Sequence, residues 1–321
     1  MKALGHTFVV KEVLGNDKIL AVQGAFLPEM VPYLAREIEF YEGQKLYSLE
    51  YDRIATGGYM VESVKLEFEE RNRSKFESEA WLRFTEGTTP ASTPMPDLRP
   101  YIAPSPKKVI VDVGCGWGRV AGQLYLEGYS VIGTDINEKE IEYAKEKAKT
   151  LIIPNRQNTL EYQVDDATKH INFSSESADG VVLNAVLTAI IPKEDRHGII
   201  REIQRILKPG GILSIAEFGQ TTTKEYPLDY RKHALVTDEY GTIVAFKDKT
   251  KNFKDLSDDD IRALKREEIE YFAHHYTEEE LRDLLADFEI LKFEKKEFKT
   301  RSGKPINGFE IIARKPESVS C

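Results

Sequence analysis

The sequence predicts an α/β chain: a seven-stranded, mostly parallel sheet ending in an antiparallel C-terminal hairpin, with a small α+β domain ahead of it. Three observations carry this expectation. After residue 107, short apolar strands alternate with helical stretches, the pattern of a parallel sheet covered on both faces. Residues 90–106, PASTPMPDLRPYIAPSP, hold six of the 14 prolines. Proline fixes φ and removes a donor, so a linker is expected there. Before it, β-rich runs alternate in polarity. With 321 residues, one large and one small domain is the natural division.

In the N-terminal part, 1–89, TFVVKEV (7–13) and KILAVQ (18–23) flank a Gly15-Asn16-Asp17 turn and predict a hairpin. Residues 28–40 carry Met30, Val31, Leu34, Ile38 and Phe40 at helix-like spacing. Three β-rich runs follow at 45–54, 59–69 and 74–84, the later two also compatible with amphipathic helix.

In the larger domain, 107–316, VIVDVG (109–114) opens the sheet. A helix follows, ending near Gly128. SVIGTDI (130–136) is the second strand. Asn137 is the expected N-cap of EKEIEYAKEKAKT, which has acids first and lysines last. LEYQV (160–164), GVVLNAV (180–186) and GILSIAEF (211–218) continue the sheet, with a helix through REIQRIL stopped by Lys208-Pro209-Gly210-Gly211. Thr277 and Glu280 form a capping box. FEILKFEKKEF and GFEIIARK then flank Ser302-Gly303-Lys304 as the closing hairpin.

The net charge is −9, and the first hundred residues are acidic as well, with 12 Lys+Arg against 16 Asp+Glu. That disfavours nucleic acid as a partner. No apolar run approaches the roughly 18 residues that span a bilayer. The N-terminal stretch also lacks a signal-like apolar core. Cys115 and Cys321 cannot form a disulfide framework or a zinc cluster alone, and the six histidines lack metal-ligand spacing. The expectation is a cytoplasmic protein without a metal.

The strongest chemical signal is Asp112-Val113-Gly114-Cys115-Gly116-Trp117-Gly118, where the first strand meets its helix. Glycines there let backbone approach a ligand, and the helix N-terminus favours acceptor groups. A dinucleotide fingerprint places its third glycine five residues after the first; here it falls at four, and Arg119 follows. Asp112 precedes the turn where nicotinamide-binding strands carry an apolar residue, and suits a ligand with a cationic ammonium. Cys115 reads as a small residue between glycines rather than a nucleophile. Asp135 ends the second strand 21 residues after Gly114, the spacing at which an acid accepts from ribose hydroxyls. Of Asp165 and Asp166, which follow the third strand, Asp166 is preferred for an adenine amine because Ala167 leaves room for the ring.

These motifs, with Thr134-Asp135-Ile136, Ala178-Asp179-Gly180-Val181-Val182 and Leu207-Lys208-Pro209-Gly210-Gly211, resemble the class I S-adenosylmethionine-dependent methyltransferases over about residues 107–218. The nearest branch contains quinone-biosynthesis methyltransferases. The resemblance implies a Rossmann-like domain with S-adenosylmethionine as cofactor. It places Gly114, Gly116 and Gly118 on the methionine part, with Cys115 and Trp117 in the same turn. It places Asp135 on the ribose, Asp166 on the adenine, and Asn184 with Leu187 beneath the sulfonium, with Ile136 and Ala167 also among the cofactor-binding residues. Leu183-Asn184-Ala185-Val186 departs from the N-P-P-Y-like tetrad of enzymes that methylate exocyclic amines of bases. The first hundred residues match no family.

Methyl transfer from a sulfonium needs alignment and exclusion of water more than a catalytic dyad. An insertion, 219–276, is expected to cover the substrate; it carries Tyr226, Tyr230, His233, Tyr240, His274, His275 and Tyr276. One of His233, His274 or His275 is the expected group orienting or deprotonating the acceptor. The acceptor is a small molecule or a protein side chain. The alternatives are a non-catalytic cofactor-binding regulator or scaffold, a nucleic-acid methyltransferase, and a nicotinamide oxidoreductase. The N-terminal domain could recruit a protein, cover the site or form a homodimer.

Overall fold

The computed structural model describes residues 8–15, 18–23, 37–41, 45–47, 72, 75, 93–222, 228–248, 250–299 and 305–317. The predicted N-terminal hairpin forms as β1 (Phe8–Gly15) and β2 (Lys18–Gln23), which continue antiparallel into β3 (Glu37–Tyr41) and β4 (Lys45–Tyr47). β3 corrects the end of the helix expected over 28–40: Glu37, Ile38, Glu39 and Phe40 alternate in polarity, a strand period, while 28–36 lie outside the described residues. Of the runs at 59–69 and 74–84, only Lys75 lies within the described residues, and it is helical, as is Asn72.

The main sheet has the order β12-β13-β9-β8-β5-β6-β7. Its parallel members are β5 (Val109–Val113), β6 (Ser130–Asp135), β7 (Leu160–Val164), β8 (Ala178–Asn184) and β9 (Leu207–Phe218). β13 (Pro305–Arg314) pairs antiparallel with both β9 and β12 (Glu289–Lys299), giving the predicted hairpin. β9 begins at Leu207 rather than Gly211; Gly210, at φ 72°, lies where its register with β8 shifts.

Alternation along each strand divides the core. Val111, Val181 and Leu213 pack on one face with Ile199, Ile203 and Leu281. Ile110, Val182 and Ile212 pack on the other with Leu124, Ile141 and the preceding segment's Leu98 and Ile102. The helices doing this are α1 (Arg119–Glu127), α2 (Glu138–Leu151), α3 (Lys193–Ile206) and, after the insertion, α6 (Glu278–Leu284). Gly128 ends α1 at φ 109°. Asn137 caps α2 by accepting from the N–H groups of Lys139 and Glu140 at 3.0 and 3.2 Å. At the opposite end of the sheet, Asp179 pairs with Lys108 and Lys208 at 2.9 and 2.8 Å.

The 219–276 stretch holds α4 (Tyr230–Thr237), β10 (Thr242–Phe246), α5 (Asp258–Arg262) and β11 (Ile269–His274). Its antiparallel β10–β11 pair has its own core of Val244, Phe246, Phe253 and Phe272, into which Ile191 of the main domain packs. Tyr226 and Cys321 lie outside the described residues. Among the described residues no helix is long and apolar enough to cross a membrane.

Gly118 precedes α1 at φ 84°, and a β-carbon there would overlap the Tyr162 hydroxyl. Gly118→Ala is therefore expected to cost about 1–3 kcal/mol, measured as a lowered midpoint in urea unfolding.

Candidate functional site

Parallel strands all present their C-terminal ends on one edge, so residues far apart in sequence converge there. The ends of β5, β6, β7 and β8 deliver the glycine turn, Asp135, Asp165-Asp166 and Asn184 to a single cavity of about 300 Å³. That is the lower end of the range for small-molecule sites.

Asp135 organises the turn. Its Oδ2 accepts from the Gly116 N–H at 2.8 Å and its Oδ1 from the Asn137 N–H at 2.9 Å. Burial raises its pKa, while these N–H donors pull it back. A carboxylate oxygen can accept more than one bond, so both retain capacity for a ligand. Asp112 lies underneath, 2% exposed, and accepts from the Ala121 N–H at 3.0 Å at the start of α1. Burial pushes its carboxyl up to about 7, offset in part by that bond and by Arg119. Burial also pushes the Cys115 thiol up, which disfavours the thiolate a nucleophile needs. Trp117 carries the Lys147 ammonium 3.8 Å from its ring centre.

On the opposite wall, Asp166 accepts from the Thr168 N–H and hydroxyl at 3.1 and 2.7 Å and pairs with Lys169 at 3.2 Å. Asn184 Nδ2 donates to the Pro94 carbonyl at 3.2 Å, while its Oδ1 is buried without a hydrogen-bond partner. A buried acceptor left open is uncommon and calls for an explanation. Ala185, which follows, has φ 55°, a conformation that costs a residue with a β-carbon about 1–2 kcal/mol. Val186 then fills the space above Gly114, where a β-carbon would overlap Val186 Cγ2.

Of the sequence-predicted cofactor residues, Asp112, Gly114, Cys115, Gly116, Trp117, Asp135, Ile136, Asp166, Ala167 and Asn184 line the cavity, and Gly118 and Leu187 do not. The Tyr162 hydroxyl fills the space where a β-carbon at Gly118 would lie. Leu187 is fully buried in the core, its N–H bonded to Glu217 and its carbonyl to Tyr276.

The three histidines also lie outside the cavity lining. His233 accepts at Nδ1 from the Val244 N–H at 3.2 Å and lies 4.1 Å from the Phe253 ring. His275 Nδ1 meets the Tyr230 hydroxyl at 2.8 Å, and that hydroxyl accepts from the Thr221 N–H at 2.9 Å. His274 meets Thr242 at 2.8 Å, beside Glu239, which pairs with Arg196. Burial works against the Glu239 charge, yet His274 and Arg196 hold its carboxyl down at about 2. These aromatic and imidazole groups pack the insertion.

Sequence reasoning missed other lining residues. Glu140, in the first turn of α2, is 1% exposed. Val186 and Ala189 through Pro192 line the far wall. Asn72 reaches in from the N-terminal part: its Nδ2 donates to the Ala189 and Phe272 carbonyls at 2.7 and 3.0 Å, and its Oδ1 accepts from the Phe272 N–H at 2.9 Å. Arg119 holds Thr93 in the lining, donating to its carbonyl and hydroxyl, each at 3.2 Å. No local motif marks Asn72 or Thr93, because their partners are distant in sequence.

A family profile described as a methyltransferase domain matches residues 111–215. The solved structure of a SAM-dependent methyltransferase from Methanosarcina mazei is 35% identical, with a TM-score of 0.58, and the match covers 70% of this chain and 99% of that one. The chain belongs to the SAM-dependent methyltransferase family. Among curated members, an O-methyltransferase of Pyrenophora dematioidea is 31% identical over 36% of this chain and 41% of its own length. The 2-methyl-6-phytyl-1,4-hydroquinone methyltransferase of a Synechocystis strain is 30% identical over 39% of this chain and 36% of its own. The chain thus spans less than half the length of these two methyltransferases. The family's cofactor, S-adenosylmethionine, carries a sulfonium and an ammonium. The lining fits such a cation, with five carboxyl groups (Asp112, Asp135, Glu140, Asp165 and Asp166) against the single Arg119 guanidinium among the described residues.

Burial holds His233 and His275 down at about 4 and about 3, below the ordinary 6.5. Their contribution to stability is present above pH 6.5 and is lost as pH falls through those folded values. Thermal unfolding temperature should therefore fall on acidification from pH 6.5 to 4, less steeply in His275→Gln.

Proposed function

We propose that this chain transfers a methyl group from S-adenosylmethionine to a small, largely apolar acceptor. The carrying observation is one cavity that gathers the Asp135-held glycine turn, the acids after β7 and the open Asn184 Oδ1. Asp135 would accept from the ribose hydroxyls and Asp166 from the adenine amine. The backbone of Gly114 through Trp117 would lie along the methionine part, with Asp112 and Glu140 favouring its ammonium. Asn184 Oδ1 would face the sulfonium end, which explains an acceptor left unpartnered inside the protein.

When bound, S-adenosylmethionine supplies an electrophilic methyl group with its leaving group already attached. The protein's part is to align the acceptor and exclude water. Ala189, Ile190, Ile191 and Pro192 give the far wall an apolar surface, and Asn72 and Thr93 add uncharged polar groups. Such a wall favours a neutral, apolar acceptor over a phosphorylated one. The names of the O-methyltransferase and hydroquinone methyltransferase relatives agree with an acceptor of this kind. In the same reading the enzyme is cytoplasmic, where the buried, unpaired Cys115 stays reduced.

Two measurements test this. Calorimetry with S-adenosylhomocysteine should show binding that Asp135→Ala weakens by at least about tenfold, with no comparable affinity for NADH. Incubation with methyl-labelled cofactor and size-fractionated extract should place label in the small-molecule fraction. Label in protein or nucleic acid would overturn the acceptor class, and absence of binding would overturn the activity.

A further inference from the structure

The cavity floor contains a turn whose own backbone resists its shape, so something must hold it. Ala185, at φ 55°, leads into Val186, Leu187 and Thr188. Strained residues persist where their surroundings over-determine them. Here the Ala185 N–H donates to the Ala216 carbonyl at 2.8 Å. The next side chain along β9 supplies the second hold: Glu217 Oε1 accepts from the Leu187 N–H at 2.8 Å, and Oε2 from the Thr188 N–H at 3.2 Å.

We infer that Glu217 is a positioning residue for the cofactor site: its buried carboxyl fixes the 185–188 turn and thereby seats Val186 over Gly114. The inference rests on the cofactor reading above and adds a residue that lies outside the cavity lining. Glu217 is fully buried, an uncommon place for a glutamate. An apolar side chain could fill the same volume, but it would leave two N–H groups of the strained turn without acceptors. Val186 carries the effect to the cavity: it lines the wall and occupies the space above Gly114 that only a glycine leaves open.

The surroundings of the carboxyl are defined on every side. Tyr276, after β11, faces it and donates from its hydroxyl to the Leu187 carbonyl at 2.9 Å. Behind Tyr276 stand Arg196 of α3, with its guanidinium 5.9 Å from the ring centre, and His274 of β11, at 4.7 Å between ring centroids. The Thr188 hydroxyl donates to the His274 carbonyl at 2.8 Å. Asn184 and Ala185 from the end of β8 are uncharged, and Phe309 of β13 pairs alongside Glu217. Burial pushes Glu217 up to about 8 from the ordinary 4.5, with the Leu187 and Thr188 N–H groups pulling the other way. Its stabilisation is therefore complete below pH 4.5 and is lost as pH rises through about 8.

The test compares Glu217→Leu and Glu217→Gln with Thr277→Ala, a cap variant that lowers stability away from the cavity. Hydrogen exchange over residues 184–190 and S-adenosylhomocysteine affinity at pH 7 are the readouts. Glu217→Leu should speed exchange and weaken binding by about tenfold. Glu217→Gln, which keeps one acceptor oxygen but turns its NH2 towards the other N–H, should fall between leucine and wild type in both readouts and should lose less unfolding temperature than wild type between pH 6 and 9. Thr277→Ala should change neither readout. Wild-type exchange and affinity in folded Glu217→Leu would overturn the inference. If the leucine variant does not fold, a glutamine variant with the wild-type pH slope would overturn it. If wild type itself failed to bind the ligand, the cofactor reading would fall, while the exchange data would still decide the role of Glu217.

Discussion

The Asp135 carboxylate, shared between the N–H groups of Gly116 and Asn137, is the interaction on which the site depends. It joins the glycine turn after β5 to the start of α2 after β6, so two adjacent crossovers meet at one fixed edge. Once that edge is set, Asp112 can seat α1 from below and Glu140 can present its carboxyl from the first turn of α2. The cost is a carboxylate held in a buried place. Two charge-assisted N–H bonds offset that cost, and a cationic ligand would offset it further.

The other half of the cavity is made differently. Its wall from Ala185 to Pro192 has little regular structure and draws its shape from residues distant in sequence. Glu217 holds it from β9, Tyr276 from beyond β11, and Asn72 from the N-terminal part. One half of the cavity is thus built from local strand-to-helix turns, and the other from long-range contacts. With that division, the long-range half can change without disturbing the turns.

This division also explains what could be read in the sequence. The sheet was legible because buried parallel strands leave continuous apolar runs, and the caps at Asn137 and Thr277 because capping is a local hydrogen bond. The glycine turn and Asp135 were legible for the same reason. Gly118 and Leu187 fall outside the lining, since proximity in sequence to the turn and to Asn184 does not fix which way a residue faces; Tyr162 packs against one and the other enters the core. The histidines drew attention as titratable groups in an aromatic insertion. Yet His233 and His275 spend Nδ1 on a backbone N–H and on a tyrosine hydroxyl, inside the insertion's packing. Ile38 and Phe40 fitted a helical spacing over 28–40, but with Glu37 and Glu39 they alternate in polarity and lie in a strand. Nothing local marks Asn72 or Glu217, whose partners lie far along the chain.

A structure determined with S-adenosylhomocysteine bound tests the central claim most directly. The account predicts the ligand between the Gly114–Trp117 backbone, Asp135 and Asn184, with Asn184 Oδ1 newly partnered and the Asp135–Gly116 bond intact. Ligand density at another place on the chain, or an Asp135 carboxylate turned away from both the ligand and Gly116, would contradict it.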